Sequence, residues 1–325
     1  MSEPLRLALV GAGHMGMYHA GAIAERDDAD LVAVCDVDRE RAAGVAAAHG
    51  AHVVGDVGEL AGAVDAAVVA ASTSVHEEVA LALLEAGIAV LIEKPLAATA
   101  DEARRIADAA RRTGVVAQVG HILRFDPVTR AIAGRRIRPA YVEVSWVSPF
   151  SFRSMDTGVV MDVLIHGLDV VLFLAGEMPG RVDAVGGVVV GPHEDFVNVR
   201  LQFPGGCVAT LSSSRMSRTR QRLVRVFADG AYVKMDYAAR TVEWLTPKPN
   251  LSDLIRSGAP SAEIGMDDLV AVENVPVETE PDALRAQLAS FLAAVRGEGD
   301  VAVTVEDGVR AVEVAERVIA AVRGG

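Results

Sequence analysis

Leu5-Arg-Leu-Ala-Leu-Val10 runs directly into Gly11-Ala12-Gly13-His14-Met15-Gly16, and Asp36 closes the next apolar run, Leu31-Val-Ala-Val-Cys-Asp36. An apolar strand, a glycine loop that opens a helix, and an acid about twenty residues further on form the fingerprint of a dinucleotide-binding βαβ unit. The glycines permit the tight turn and let backbone N–H groups approach a pyrophosphate at the helix N-terminus. Asp36 is placed to accept hydrogen bonds from the adenosine ribose, and its charge repels a 2′-phosphate. NAD is therefore expected and NADP disfavoured, with Arg39 close enough to soften the preference. The expected cofactor contacts here are Gly11, Gly13, His14, Met15, Gly16 and Asp36.

Outward from this loop the chain keeps one rhythm up to about residue 122. The strand-like runs at 52–54, 66–71, 89–93 and 115–120 alternate with helical stretches at 18–26, 40–49, 76–86 and 100–112. Near-continuous apolar strands separated by helices predict a doubly wound parallel sheet covered on both faces, a Rossmann domain over 1–122. Beyond it the texture changes. A helical stretch at 127–134, a strand at Tyr141–Val147 and a helix at Val159–Leu174 precede a series of alternating strands. Pro204-Gly205-Gly206 and Asp229-Gly230 divide those strands as turns. The expectation for 123–325 is an α+β domain with a large open, mostly antiparallel sheet. Within it, 181–190 reads as a strand, 246–275 as irregular, and 282–296 and 306–322 as closing helices.

With 325 residues and a formal net charge of −13, the chain has room for two cores and is poorly suited to nucleic acid or an anionic membrane. No run reaches the ~20 apolar residues of a membrane helix, and no export signal is legible at the start, so a soluble, cytoplasmic protein is expected. Cys35 and Cys207 sit in apolar strand-like segments and read as buried thiols; no metal site is expected.

Glu93-Lys94-Pro95 follows one strand, and Ser72-Thr73 with His76 follows another. Gln118-Val119-Gly120-His121, Arg124-Phe125 and the run Asp162-Val-Leu-Ile-His166-Gly-Leu-Asp169 complete the pattern. Together with the glycine loop these resemble the glucose–fructose oxidoreductase, inositol dehydrogenase and rhizopine catabolism (Gfo/Idh/MocA) family. The resemblance spans essentially the whole chain. It implies Lys94, Asp162 and His166 around a reacting carbon, and further cofactor contacts from Ser72, Thr73, His76, Glu93, Lys94 and Gln118. His14 apart, the remaining histidines, including His19, read as surface or loop positions.

The chemistry also follows from the residue types. Asp162, His166 and Asp169 stand at i, i+4 and i+7 and are expected on one helix face. A secondary alcohol needs a base as hydride leaves. Histidine titrates near neutrality, and a carboxylate beside it stabilises the imidazolium. Lys94, at a strand's carboxyl end, can hydrogen-bond a developing alkoxide. The segments around Arg124, Arg153 and Arg215–Tyr237 resemble the branch of the family that oxidises nucleotide sugars such as UDP-N-acetylglucosamine at the 3-position. Asp126 and Gly167 depart from that branch, which usually carries asparagine and an acidic residue there. Arg124, Arg153 and Asp169 are the expected substrate contacts. Arg218, Arg220 and Arg222 would share a strand face, expected in a subunit contact or toward solvent, with contact to a substrate diphosphate as the alternative. Free-sugar or cyclitol oxidation, and a non-catalytic NAD-binding sensor, are the alternatives. The resemblance also implies a homodimer or homotetramer, formed through an exposed sheet face with apolar and arginine residues.

Overall fold

The computed structural model describes residues 3–150, 157–249, 256 and 265–324. The chain packs as two compact units, Met1–Phe125 with Pro281–Glu316, and Asp126–Glu280 with Arg317–Gly325. Where the sequence suggests a single division at 122, packing returns a C-terminal segment to the first unit. The reason is apolar burial: the helix Ala283–Val295 inserts Leu288, Phe291 and Leu292 into the core that holds Leu9, Val68 and Leu91.

In the first unit the strands are β1 (Leu5–Val10), β2 (Ala29–Cys35), β3 (His52–Val54), β4 (Ala66–Val69), β5 (Ala89–Glu93) and β6 (Ala117–Gly120). All pair in parallel, in the order β3-β2-β1-β4-β5-β6. Every residue of β4 and β5 is buried, as expected of strands covered on both faces. The helices are α1 (His14–Ala24), α2 (Arg39–His49), α3 (His76–Glu85) and α4 (Ala100–Thr113). Their ends follow from local chemistry. Asp38 caps α2, and Thr99 with Glu102 forms a reciprocal capping box on α4. Gly50 and Gly114, in the left-handed conformation, close those two helices. Strand order reverses direction between β1 and β4, the point where open α/β sheets form a ligand crevice.

The second unit opens with α5 (Pro127–Ala131) and β7 (Pro139–Val147), then a π-helical turn Val160–Leu164 that continues into α6 (Ile165–Ala175). Its strands β8 (Arg181–Gly187), β9 (Phe196–Gln202), β10 (Val208–Ser214), β11 (Gln221–Ala228), β12 (Ala231–Asp236), β13 (Thr241–Pro247) and β14 (Val270–Val275) join β7 in one sheet. The order is β14-β13-β12-β11-β7-β10-β9-β8, antiparallel throughout except the β7–β10 pair. One face of β7, carrying Val142, Val144 and Trp146, is buried. Gly167 lets α6 approach that face: a Cβ there would stand 2.9 Å from Val144 Cγ1. An acidic side chain has no room at this position.

Two expectations are corrected. The strand at 181–190 ends at Gly187, because the N–H groups of Val189, Val190 and Gly191 donate to Asp195 Oδ2 instead of to a neighbouring strand. Asp195 is fully buried and paired with Arg215 at 2.6 Å. Burial pushes its carboxyl up, but the backbone donors and the guanidinium outweigh that and hold it far below the usual range. Within 246–275, expected to be irregular, Val270–Val275 pairs antiparallel with β13. This edge strand is mostly exposed, so its residues lack the alternation by which strands are recognised.

Candidate active site

The crevice in the first unit has a volume of about 570 Å³ and lies at the carboxyl ends of β1, β2 and β4. Gly11, Gly13, Asp36 and Ser72 line it, as the glycine-loop reading expected. Gly11 has φ +97°, and a Cβ on it would meet Ala71 N at 2.4 Å, so glycine is required both for the turn and for the approach of β4. Gly16 is packed against Gly11 O, whereas a Cβ on Gly13 would meet nothing within 4 Å. That open space lies at the N-terminus of α1, where no side chain caps the helix. Backbone N–H groups and the helix dipole thus remain for an anion, and the residues fit a bound dinucleotide pyrophosphate. Asp36 is fixed on both oxygens: Ala12 N donates to Oδ2 at 2.6 Å and Asp38 N to Oδ1 at 2.8 Å. The arginine on the wall is Arg41, ion-paired with Asp38 at 3.1 Å, rather than Arg39, whose guanidinium packs against Gly55.

Behind the crevice several of the residues expected to meet the cofactor are bonded within the protein. His76 is buried; its Nδ1 lies 3.0 Å from Pro95 O and its Nε2 3.1 Å from Ala71 O, tying the loop after β4 to the loop after β5. Burial pushes this imidazole below its ordinary value, against smaller opposing effects of the two carbonyls. Gln118 is fully buried and donates to Gln287 O, within the packing of β6 against the helix Ala283–Val295. Neither residue lies on the crevice wall, and neither do His14, Met15 or Thr73. Glu93 is buried beside His19 Nε2, 2.7 Å away. Burial raises the Glu93 carboxyl, but the His19 contact outweighs it and holds the group below its usual value. His19 is thus a core residue, not a surface one, and it fixes the carboxylate next to Lys94. Lys94 follows β5, partly exposed, with its N–H donating to Glu93 Oε2; the Lys94–Pro95 peptide is cis. Arg124 is nearly buried and faces Asp307 at 3.7 Å, which occupies it within its own unit. Arg153 lies outside the described residues.

In the second unit Asp162 lies in the π turn and His166 is the second residue of α6, both partly exposed. The third member of the expected face, Asp169, is turned inward and is 2 % exposed. The wide turn changes the angular step between Asp162 and His166, whereas His166 and Asp169 stand three apart on α6 and differ in exposure. The charge of Asp169 adds to the burial that raises the Tyr237 hydroxyl. His166 packs on Trp146 with ring centroids 6.3 Å apart and planes inclined by 27°. Glu194 steadies the start of this segment: Val159 N donates to its carbonyl and Val160 N to Oε1.

Residues 5–121 match the oxidoreductase family with an NAD-binding Rossmann fold, and residues 131–325 match its C-terminal alpha/beta domain. The chain is 34% identical over 239 residues to a UDP-N-acetylglucosamine 3-dehydrogenase of Acidithiobacillus ferrooxidans, covering 73% of this chain and 76% of that one. It is 33% identical over 229 residues to an inositol 2-dehydrogenase of Rhizobium meliloti, covering 65% and 69%. The solved structure of the Acidithiobacillus enzyme superposes with a TM-score of 0.89 at 32% identity, over 100% of this chain and 99% of that one. With both domains matched and the glycine crevice formed as an NAD site requires, the chain belongs to the Gfo/Idh/MocA oxidoreductase family.

Proposed function

We propose that the protein is an NAD-dependent dehydrogenase that oxidises a secondary alcohol of a nucleotide sugar, with UDP-N-acetylglucosamine at its 3-position as the leading substrate. The observation that carries this reading is the 34% identity to the Acidithiobacillus enzyme, together with a His166 left partly exposed on α6. NAD, when bound, supplies the hydride acceptor. Gly11, Gly13 and the open start of α1 would hold its pyrophosphate, and Asp36 its ribose. His166 takes the hydroxyl proton on a ring nitrogen, and Asp162 favours the imidazolium that results. Lys94 donates a hydrogen bond to the substrate oxygen as negative charge develops there. Asp36 opposes a 2′-phosphate through its carboxylate charge, which backbone N–H groups on both oxygens hold in place.

Oxidation of a cyclitol is the second reading, favoured by the relationship to the inositol 2-dehydrogenase. Two substrates separate them. Reduction of NAD with UDP-N-acetylglucosamine but not with myo-inositol is the expected outcome. Turnover of inositol alone would assign the protein to the cyclitol reading.

A further inference from the structure

The helix-covered face of the second sheet is apolar from strand to strand, with Val142 and Val144 on β7, Leu211 on β10, and Val224 and Val226 on β11 all buried. It changes character at one corner. There Trp146 of β7 lies opposite Arg222 of β11 in the antiparallel register. The Arg222 guanidinium stands over the indole, 5.3 Å from the ring centroid. Its neighbours on the same sheet are neutralised differently: Arg225, on the opposite face, pairs with Glu143 at 3.1 Å, and Arg215 pairs with Asp195. Among the described residues no carboxylate forms an ion pair with Arg222. The nearby acid is Asp126, whose Oδ1 is committed to capping α5 through Val128 N at 2.9 Å. Burial disfavours the charged form of both groups, pushing Arg222 down and Asp126 up from their ordinary values, and Arg222 remains a cation.

A desolvated guanidinium stacked on an indole retains its planar fork of donors, and that fork matches phosphate oxygens two at a time. The indole that Arg222 covers is the same one on which His166 packs. One aromatic ring thus links the proposed base to a cation that pairs with no carboxylate among the described residues. We propose that Arg222 holds the diphosphate of the substrate, and that Trp146 sets its position relative to His166. This rests on the nucleotide-sugar reading. It assigns to Arg222 the role for which the sequence offered Arg124, a residue occupied by Asp307. Asp126, close enough to act electrostatically on Arg222, opposes the bound anion and tunes its affinity.

Titration of UDP into the full-length protein by calorimetry, with NAD held at saturation to occupy the nucleotide crevice, tests this. Arg222→Gln should weaken UDP binding about tenfold or more, with Arg222→Lys intermediate because it keeps the charge but not the fork. Asp126→Asn, which retains the helix cap, should bind UDP as tightly as the parent or more so. NAD affinity measured on each variant reports that the protein is folded. UDP binding unchanged in Arg222→Gln, absent in the parent, or lost equally in Asp126→Asn would overturn the assignment. Turnover of UDP-N-acetylglucosamine is read separately. If it persists while Arg222→Gln has no effect on UDP, the inference fails and the substrate reading stands. If UDP binds through Arg222 but the sugar is not oxidised, the reverse holds.

Discussion

At the scale of single residues, local chemistry was the most legible part of the sequence. Gly11, Gly13 and Asp36 could be placed because their roles depend on a turn, a helix start and a strand end within one βαβ unit. Gly11→Ala should cost about 1–3 kcal/mol from the left-handed backbone alone and more from the clash with Ala71, and should abolish NAD binding. A combined melt and NAD titration checks this; a variant that binds NAD normally contradicts it. Asp36→Ala should raise the ratio of NADP to NAD activity, and an unchanged ratio would remove Asp36 from ribose recognition. His19 was misread as a surface position because its meaning lies in Glu93, 74 residues away in sequence. Arg124 and Gln118 likewise have partners that the sequence did not show, Asp307 and Gln287, each from a distant segment.

At the scale of elements, the period-two strands and the amphipathic helices could be recognised wherever one face is buried. The π turn at Val160–Leu164 was not, since no residue pattern distinguishes it from an α-helix, and it alters the angular step between Asp162 and His166. The edge strand Val270–Val275 was missed because it is exposed, and exposure removes the alternation. Glu194 was not singled out either, yet it anchors the start of the segment that carries Asp162 and His166. Glu194→Gln keeps the acceptor for Val160 N and should preserve most of kcat, while Glu194→Ala should lower kcat more than it raises KM. Equal losses in both variants would contradict a role through hydrogen bonding. The loops after β4 and β5 are joined by His76, and burial favours its neutral form. With the folded value depressed, the unfolded chain takes up the proton first. Stability should therefore decline as pH falls below the ordinary value of 6.5. His76→Gln should lack that component when melting temperature is followed against pH.

At the scale of the whole molecule, the N-terminal match lies within the first unit, while the C-terminal match is divided between the two, and this return of Pro281–Glu316 to the first unit is the feature that composition did not reveal. Among the described residues no helix is long and apolar enough to cross a membrane. The uncovered face of the second sheet carries Phe227, beside Tyr141, Arg225 and Lys234, and at the other end of the strands Phe196, each phenylalanine 40% exposed. Such a face is suited to burial against a second copy, and we propose a homodimer or homotetramer formed through it. Light scattering on the parent and on Phe227→Asp should show an oligomer reduced toward monomer. A monomeric parent would contradict the proposal.

The central claim is that this family member oxidises a nucleotide sugar with NAD, and that His166 is required. The most direct test follows NADH absorbance when NAD and UDP-N-acetylglucosamine are mixed with the parent protein and with His166→Ala. The account predicts steady NADH formation by the parent, and a loss of about a hundredfold or more in the variant with NAD affinity unchanged. NADH formation by both proteins alike, or by the parent only with free polyols, would contradict it.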